Sequence, residues 1–350
     1  MAAVLVRKNG IYEEIISILG DAGKSVIEFS GIMPNPTYAK VQEGAALAKE
    51  KKIDLMIAVG GGSVIDCCKI VFAQAKLEEE IWEMEFSGHK YPSDFIPMIA
   101  VVTASGTGAE QNNGAVITHE GKKLKAGLLG AYADAAFLDP AYTLSLPAMQ
   151  AMSGAFDTLS HCMETYFGSP EENNLSDDIC EAVMRNVINN MRILKTDQAD
   201  LNVRSELEWA SAMAENGILK IGKTSSFQAH QIEHQLGAYT DCNHGQGLAV
   251  IHPVLYRKLC EKAPVKFARF AVRVWGVCAD GKTEIETAME GIECLAAFVK
   301  EMGLPDTFAE MGIGEDTDFR RIADSTNIIT NGCFPPLTHD DVYEILLNCR

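Results

Sequence analysis

The fold is decided by residues 54–66, Asp54-Leu-Met-Ile-Ala-Val-Gly-Gly-Gly-Ser-Val-Ile-Asp66. The first half of this stretch is an unbroken apolar run, which is typical of a strand buried on both faces of a parallel sheet. Three glycines follow at once, and a helical pattern then continues from Val64 to Ala75. A strand, a glycine turn and a helix joined without a linker predict a parallel α/β domain. The backbone N–H groups of such a turn can bind a pyrophosphate, although a purely structural turn gives the same pattern.

A second strand-to-turn unit follows downstream. Residues 95–102 form another apolar run, and they lead into Thr103-Ala-Ser-Gly-Thr-Gly108. This second turn is rich in Gly and Thr. Two glycine-containing turns, each after a strand of one sheet, predict a nucleotide site at the carboxyl ends of those strands. The first turn is neither a Walker A loop nor a G-x-G-x-x-G fingerprint. The other elements predicted for this part are helices at 10–22 and 38–51, the latter capped by Thr37, and a strand at 25–29.

Long helical patterns replace this alternation from about Leu146 onward. We therefore predict two domains with a boundary near Pro147. Residues 1–147 form a doubly wound, Rossmann-like α/β domain that binds a dinucleotide. Residues 148–350 form an all-helical metal-binding and catalytic domain. Its predicted helices are 148–167, 172–194, 200–220, 228–239, 245–261, 264–275, 283–302 and 338–348.

The composition excludes several classes of partner. The chain has 350 residues and a formal net charge of −18, so nucleic acid and anionic membrane surfaces would be repelled. No apolar run approaches the roughly 20 residues that span a bilayer. The ten cysteines contain no Cys-x-x-Cys pair. They predict reduced thiols in a cytoplasmic protein.

Two clusters of metal-ligating side chains occur in the helical part. Asp157 and His161 are four residues apart, as are His230 and His234, and His244 follows the second pair. Residues spaced by four lie on one face of a helix, so two such helices can hold a buried divalent metal. The spacing leaves open which of the three later histidines is not a ligand. It also leaves open the alternative that these are ordinary core histidines.

One carboxylate and several neutral imidazoles would leave a divalent ion electron-poor and open to a substrate oxygen. Such an ion acts as a Lewis acid on a carbonyl or an alcohol. Combined with a nicotinamide, the natural chemistry is hydride transfer. The pattern is not His-Glu-x-x-His, because Glu233 directly precedes His234 rather than following His230, and a metalloprotease is therefore disfavoured.

The combined motifs resemble the iron-containing alcohol dehydrogenases, in particular the butanol dehydrogenase-like branch. The resemblance extends from about Arg7 to the C-terminus. It rests on Gly60-Gly-Gly-Ser-Val-Ile-Asp66, Pro34-Asn-Pro-Thr37, Thr103-Ala-Ser-Gly-Thr-Gly-Ala-Glu110, Leu138-Asp-Pro140, Asp157-x-x-x-His161 and the spacing of His230, His234 and His244.

The resemblance implies a role for each candidate residue. It makes Asp157, His161, His230 and His244 the metal ligands. It makes His234 a catalytic residue on the proton path, beside the nicotinamide. The residues implied in cofactor binding are Gly60, Gly61, Gly62, Ser63, Asp66, Thr103, Thr107, Asn112 and Lys125, with Lys123 as the alternative to the last.

The resemblance also implies an activity. We expect a metal-dependent, NAD(P)H-linked alcohol dehydrogenase or aldehyde reductase for small primary alcohols and aldehydes such as butanol and butanal. The expected cofactors are Fe²⁺ or Zn²⁺ and NADP(H) or NAD(H), and a homodimer is the default assembly. Arg7 and Lys8 favour NADP(H), because they lie where they can reach a 2′-phosphate.

One departure keeps two alternatives open. Family members begin with a further β-rich segment and a Gly-rich turn before the position of Arg7, and we expect this chain to lack them. A catalytically impaired remnant with a binding role is therefore one alternative. A sugar-phosphate cyclase-like lyase of the same fold is the other, although Lys and Arg are nearly absent around 157–161 and 230–244.

Overall fold

The computed structural model describes Arg7 and residues 10–350. The chain divides into two compact units, one that extends to Pro147 and one that runs from Ala148 to Arg350. The first is an α/β domain with a parallel sheet and the second is helical, which confirms the predicted fold class. Within the described residues, no helix combines the length and the hydrophobicity that crossing a membrane requires.

The first unit contains a parallel sheet and a separate hairpin. The sheet consists of β1 (Met56–Gly60), β2 (Met98–Val102) and β5 (Ala135–Leu138), paired in the order β1-β2-β5. The antiparallel hairpin consists of β3 (Gly114–His119) and β4 (Leu124–Leu129). Among the described residues, the α-helices of this unit are α1 (Ile11–Asp21), α2 (Tyr38–Lys51), α3 (Gly62–Gln74) and α4 (Ile81–Phe86).

Helices α2 and α3 form the core of this unit with the strands. Helix α2 begins where the sequence predicts, because Thr37 Oγ1 accepts a hydrogen bond from the backbone N–H of Lys40 at 3.3 Å. Helix α3 packs against α2, β1 and β3, and its Ile70 and Phe72 are fully buried. This packing fixes the position of the glycine turn that precedes α3.

Two predicted strands of this unit need correction. The strand predicted at 25–29 is wrong: these residues belong to no strand, and Val26 and Ile27 are 43% and 45% exposed. A strand needs a hydrogen-bonded neighbour, and β1 pairs only with β2 in the part of the chain that the structure describes. The strand predicted at 95–102 starts later, at Met98, since Pro97 has no N–H to contribute to a ladder.

The second unit is built from helices joined by turns and loops. The α-helices of this unit are α5 (Ala148–Tyr166), α6 (Leu175–Thr196), α7 (Leu201–Glu215), α8 (Gln228–Thr240), α9 (His244–Leu259), α10 (Pro264–Trp275), α11 (Glu284–Glu301), α12 (Phe319–Ser325) and α13 (His339–Asn348). The helix predicted at 200–220 is wrong in its last part, because Gly217 adopts φ 91° and a 3₁₀ turn, Ile218–Lys220, follows. The short helix α12 is not among the predicted helices.

Helix α5 is buried on nearly all sides although it carries charged residues. Its Phe156, Leu159 and Met163 are fully buried, and the carboxylates of Asp157 and Glu164 belong to residues that are only 3% and 2% exposed. Buried carboxylates need partners that offset their lost hydration. Those partners come mainly from α8 and α9, and together they make up the site.

Candidate metal centre

Three helices bring four donor groups together inside the second unit. Asp157 and His161 lie one turn apart on α5. His230 is in the first turn of α8, and His244 is the first residue of α9. Asp157 Oδ1 lies 3.4 Å from Nε2 of His161 and 3.5 Å from Nε2 of both His230 and His244. The Nε2 atoms of His161 and His230 are 3.3 Å apart. The structure thus brings the four predicted ligands to one point.

These distances fit a divalent cation. Ligands at about 2.1 Å from a tetrahedral ion lie about 3.4 Å from one another. Asp157 Oδ1 is buried and has no hydrogen-bond partner among the described residues, which is unfavourable for a carboxylate oxygen unless a cation compensates. One carboxylate and three imidazoles form a donor set that suits Fe²⁺ and Zn²⁺. The residues present therefore fit the predicted metal.

A buried glutamate holds each of the three imidazoles at Nδ1. The pairs are His161 with Glu215, His230 with Glu164, and His244 with Glu233. In the first pair, His161 Nδ1 lies 2.6 Å from Glu215 Oε1. A carboxylate at Nδ1 keeps the proton there and leaves the lone pair of Nε2 for a metal. The sequence patterns above do not predict these three glutamates.

The charges at the centre shift the pKa values of its members. Burial alone would raise the pKa of Asp157, but the imidazoles of His161 and His244 hold it well below its usual value. Burial would lower the pKa of His161, yet Glu215 and Asp157 raise it well above its usual value. Burial would raise the pKa of Glu215, whereas His161 and Lys220 lower it to about 2. Asp157 and Glu215 are therefore ionised at neutral pH and favour a cation.

His234 lies beside these donors, one turn after His230 on α8. It is buried, and its ring centroid is 6.0 Å from that of His230 and 5.6 Å from that of His244. Its donor atom also forms a group with those of Glu233 and His244, all within 4.8 Å of one another. The structure thus brings the three later histidines together, and the assignment of His234 to the proton path stays a prediction.

In the first unit, the two predicted nucleotide turns lie against each other. A Cβ atom on Gly61 would lie 2.9 Å from Cβ of Ala104. One on Gly62 would lie 2.3 Å from Oγ1 of Thr107. Glycine is required at both positions because side chains of the second turn fill the space. The turns therefore meet at the carboxyl ends of β1 and β2, where a nucleotide is expected.

The backbone also joins these turns. The N–H of Thr103 donates to the carbonyl of Gly60 at 3.0 Å, which extends the pairing of β2 with β1 into the turns. Ser63 is half-buried in the first turn of α3, next to the glycines. These residues stand where the prediction places a pyrophosphate, and their contact with one stays a prediction.

Two of the other predicted cofactor residues, Asp66 and Asn112, have structural contacts at α3. Asp66 Oδ2 accepts a hydrogen bond from a backbone N–H of β3 at 2.9 Å. Asn112 Oδ1 accepts one from Nζ of the fully buried Lys69 at 3.1 Å. Lys125 is buried on β4, whereas Lys123 is exposed in the turn before it. Structural contacts thus account for the side chains of Asp66 and Asn112, and cofactor contact by these residues stays a prediction.

Two family models match the chain. The model described as iron-containing alcohol dehydrogenase covers residues 2–140. The model described as the C-terminal part of the Fe-containing alcohol dehydrogenase family covers residues 151–349. The matches therefore extend over nearly the whole sequence.

Similar proteins are known from several bacteria. A probable NADH-dependent butanol dehydrogenase of Bacillus subtilis is 36% identical over 344 residues, which are 97% of this chain and 88% of that protein. An NADPH-dependent aldehyde reductase of Escherichia coli is 31% identical over 313 residues, 88% of this chain and 80% of that protein. The crystal structure of an NADH-dependent butanol dehydrogenase A from Thermotoga maritima superimposes with a TM-score of 0.92 at 33% identity, covering 99% of this chain and 88% of that one.

Proposed function

Because the chain belongs to the iron-containing alcohol dehydrogenase family, we propose that this oxidoreductase interconverts small primary alcohols and aldehydes, such as butanol and butanal, by hydride transfer. The observation that carries this proposal is the convergence of Asp157 Oδ1 with three imidazole Nε2 atoms at 3.4–3.5 Å. Carboxylate and imidazole donors arranged in this way bind a divalent metal ion, which supports metal-dependent catalysis. The names of the relatives support the substrate class.

Each residue of the centre has one task in this proposal. Asp157, His161, His230 and His244 hold Fe²⁺ or Zn²⁺. When bound, the ion polarises a carbonyl oxygen or lowers the pKa of an alcohol. The glutamate partners of the three histidines keep the Nδ1 protons in place, so each imidazole presents the lone pair of its Nε2 to the ion.

His234 moves the proton of the reaction. A bound nicotinamide would supply the hydride acceptor for alcohol oxidation and the hydride donor for aldehyde reduction. The His234 imidazole would accept the hydroxyl proton in the first direction and return it in the second. The burial of His234, at 6% exposure, supports this role because bulk water then has little access to it.

We also propose NADH as the preferred cofactor, in contrast to the NADP(H) preference expected from Arg7 and Lys8. The guanidinium of Arg7 pairs with Glu28 and lies 3.9 Å from the ring centroid of Tyr12, so its charge is already offset. Lys8 lies outside the described residues. The Bacillus subtilis relative is named as NADH-dependent.

Assembly and location belong to the same proposal. The absence of disulfides among the ten cysteines, all of which are free thiols in the structure, supports a cytoplasmic enzyme. A homodimer is the assembly that we propose. Sedimentation of the purified protein measures its assembly, and a monomer or a larger assembly would contradict the proposal.

The activity is tested by following NADH oxidation with butanal. Metal-free protein, prepared with a chelator, is supplied with Fe²⁺ under anaerobic conditions or with Zn²⁺, and each sample is assayed with NADH and with NADPH. We expect activity only after metal addition, and a higher kcat/KM with NADH. Equal activity before metal addition would contradict the role of the centre, and a higher kcat/KM with NADPH would contradict the cofactor preference.

A further inference from the structure

We propose that Lys220 is a positioning residue of the metal centre, which acts through Glu215 to weaken the hold of His161 on the divalent ion. This inference rests on the proposed function, because it assumes that the centre binds a metal. It concerns a lysine that neither the helix spacing nor the predicted ligand set includes.

A reversal of the chain after α7 brings Lys220 to the centre. Helix α7 ends at Glu215, and Gly217 adopts φ 91°, a left-handed conformation that glycine takes without strain. The 3₁₀ turn that follows is closed by a hydrogen bond of 3.0 Å from the N–H of Lys220 to the carbonyl of Gly217. Lys220 Nζ thereby comes within 2.9 Å of Glu215 Oε2.

Glu215 is shared between Lys220 and a metal ligand. Its Oε1 atom lies 2.6 Å from His161 Nδ1, and the opposite nitrogen of that ring, Nε2, lies 3.4 Å from Asp157 Oδ1. A continuous array therefore runs from the Lys220 ammonium through one carboxylate and one imidazole to the donor cluster.

The described contacts of the other two carboxylates include electrically neutral donors. Glu164 accepts hydrogen bonds from the backbone N–H groups of Ala229, at 2.6 Å, and His230, at 3.1 Å. Glu233 is approached by the thiol of Cys242 at 3.8 Å. Behind His161, by contrast, the structure describes an ammonium contact, that of Lys220 with Glu215.

The pair formed by Lys220 and Glu215 differs from an exposed surface pair. The Glu215 side chain is only 6% exposed, compared with 33% for Lys220. The ring of Phe227 lies beside Lys220 and His161, the residues on either side of Glu215. Its centroid is 5.4 Å from Lys220 Nζ and 5.5 Å from the His161 ring. Exposed pairs contribute little because water screens them, whereas this carboxylate is largely shielded.

The electrostatic consequence has a definite sign. A carboxylate that faces an ammonium group is a weaker acceptor for the imidazole N–H, so Nε2 of the same ring is a weaker donor. The ammonium also adds positive charge beside a site for a cation. Removing it should strengthen metal binding by about tenfold, the low end of the changes seen when groups behind metal ligands are altered.

The test measures Zn²⁺ affinity of the full-length, metal-free protein by competition with a chromogenic chelator. We expect the dissociation constant to fall about tenfold in Lys220→Met and to stay near the wild-type value in Lys220→Arg, which restores the charge. The matched control is Lys300→Met. Lys300 lies on α11, is 67% exposed and pairs with Asp306 at 2.6 Å, so the substitution removes an exposed ion pair that does not involve the centre. This control should leave the affinity unchanged. Circular dichroism establishes that each variant is folded.

A double-mutant cycle with Glu215→Gln tests whether Lys220 acts through Glu215. Glu215→Gln alone should weaken Zn²⁺ binding at least tenfold, and Lys220→Met should then change it by less than about threefold. Unchanged or weaker binding by a folded Lys220→Met variant would overturn the inference. A wild-type protein that binds no Zn²⁺ would overturn the proposed function itself, and the inference with it.

Discussion

Among the histidines at the centre, His234 is the one to which we assign proton transfer rather than metal binding. In His234→Ala we expect kcat to fall at least about 10²-fold, within the range that general acid–base groups contribute. The bound metal should stay at the wild-type level. His230→Ala should lose metal and activity together, because it removes a donor that lies 3.5 Å from Asp157 Oδ1. Metal analysis and steady-state kinetics of both variants measure the difference.

A remote histidine provides the control for this pair. His339 lies on α13 and is hydrogen-bonded to the carbonyl of Thr326 at 3.2 Å. His339→Ala should leave both kcat and metal content unchanged. A His234→Ala variant that has lost its metal would make His234 a ligand and contradict its assignment to the proton path.

The donors and their glutamates differ in how far the sequence predicts them. Asp157 and His161 follow from i, i+4 spacing on one helix, a local property. The position of Glu164 can be predicted in the same way, because it lies seven residues after Asp157 on the same face of α5. The position of Glu215 cannot, since only the packing of α7 against α5 brings it to His161. Contacts of this kind depend on tertiary structure.

At the scale of elements, the glycine turn before α3 depends on the turn that packs against it. In Gly62→Ala the new methyl group would meet Thr107 Oγ1 at 2.3 Å, so one of the turns must move. We expect a loss of roughly 1–3 kcal/mol in the free energy of unfolding, the usual effect of overpacking. A higher KM for NADH should accompany it. Chemical denaturation and initial rates measure the two effects.

Removing the opposing side chain should reverse part of this loss. Thr107→Ala deletes Oγ1 and Cγ2 and leaves Cβ, which the new methyl group meets at 2.9 Å. The double variant should therefore be more stable than Gly62→Ala alone. A double variant as unstable as the sum of both single changes would show that the clash lies elsewhere.

The limits of prediction at this scale are physical. Helix α2 agrees with its predicted range because a cap and a helical period are both local signals. The strand predicted at 25–29 has suitable residues, but a strand exists only with a paired neighbour. The β3–β4 hairpin was not predicted, and its first strand is positioned by packing on α3, which no local pattern reports. Elements that need distant partners therefore escape a local pattern.

At the scale of the whole molecule, the fold class follows from a change along the chain in the periodic spacing of apolar residues. Short apolar runs alternate with helical patterns in the first part, and long helical patterns follow in the second. Each period is a property of consecutive residues, so the order of an α/β domain and a helical domain can be read without tertiary information. The acidic balance of the chain is equally visible, and it has a consequence for the anionic cofactor.

The formal net charge of −18 should oppose the approach of NADH. Raising the ionic strength from about 0.01 M to about 0.15 M shortens the Debye length from roughly 30 Å to roughly 8 Å, which screens this repulsion. We therefore expect the KM for NADH to fall by about threefold over this range, measured by initial rates at fixed pH and saturating butanal. The KM for butanal, which is uncharged, should not change and serves as the control. A KM for NADH that rises with salt would mean that cationic groups near the cofactor site outweigh the field of the whole chain.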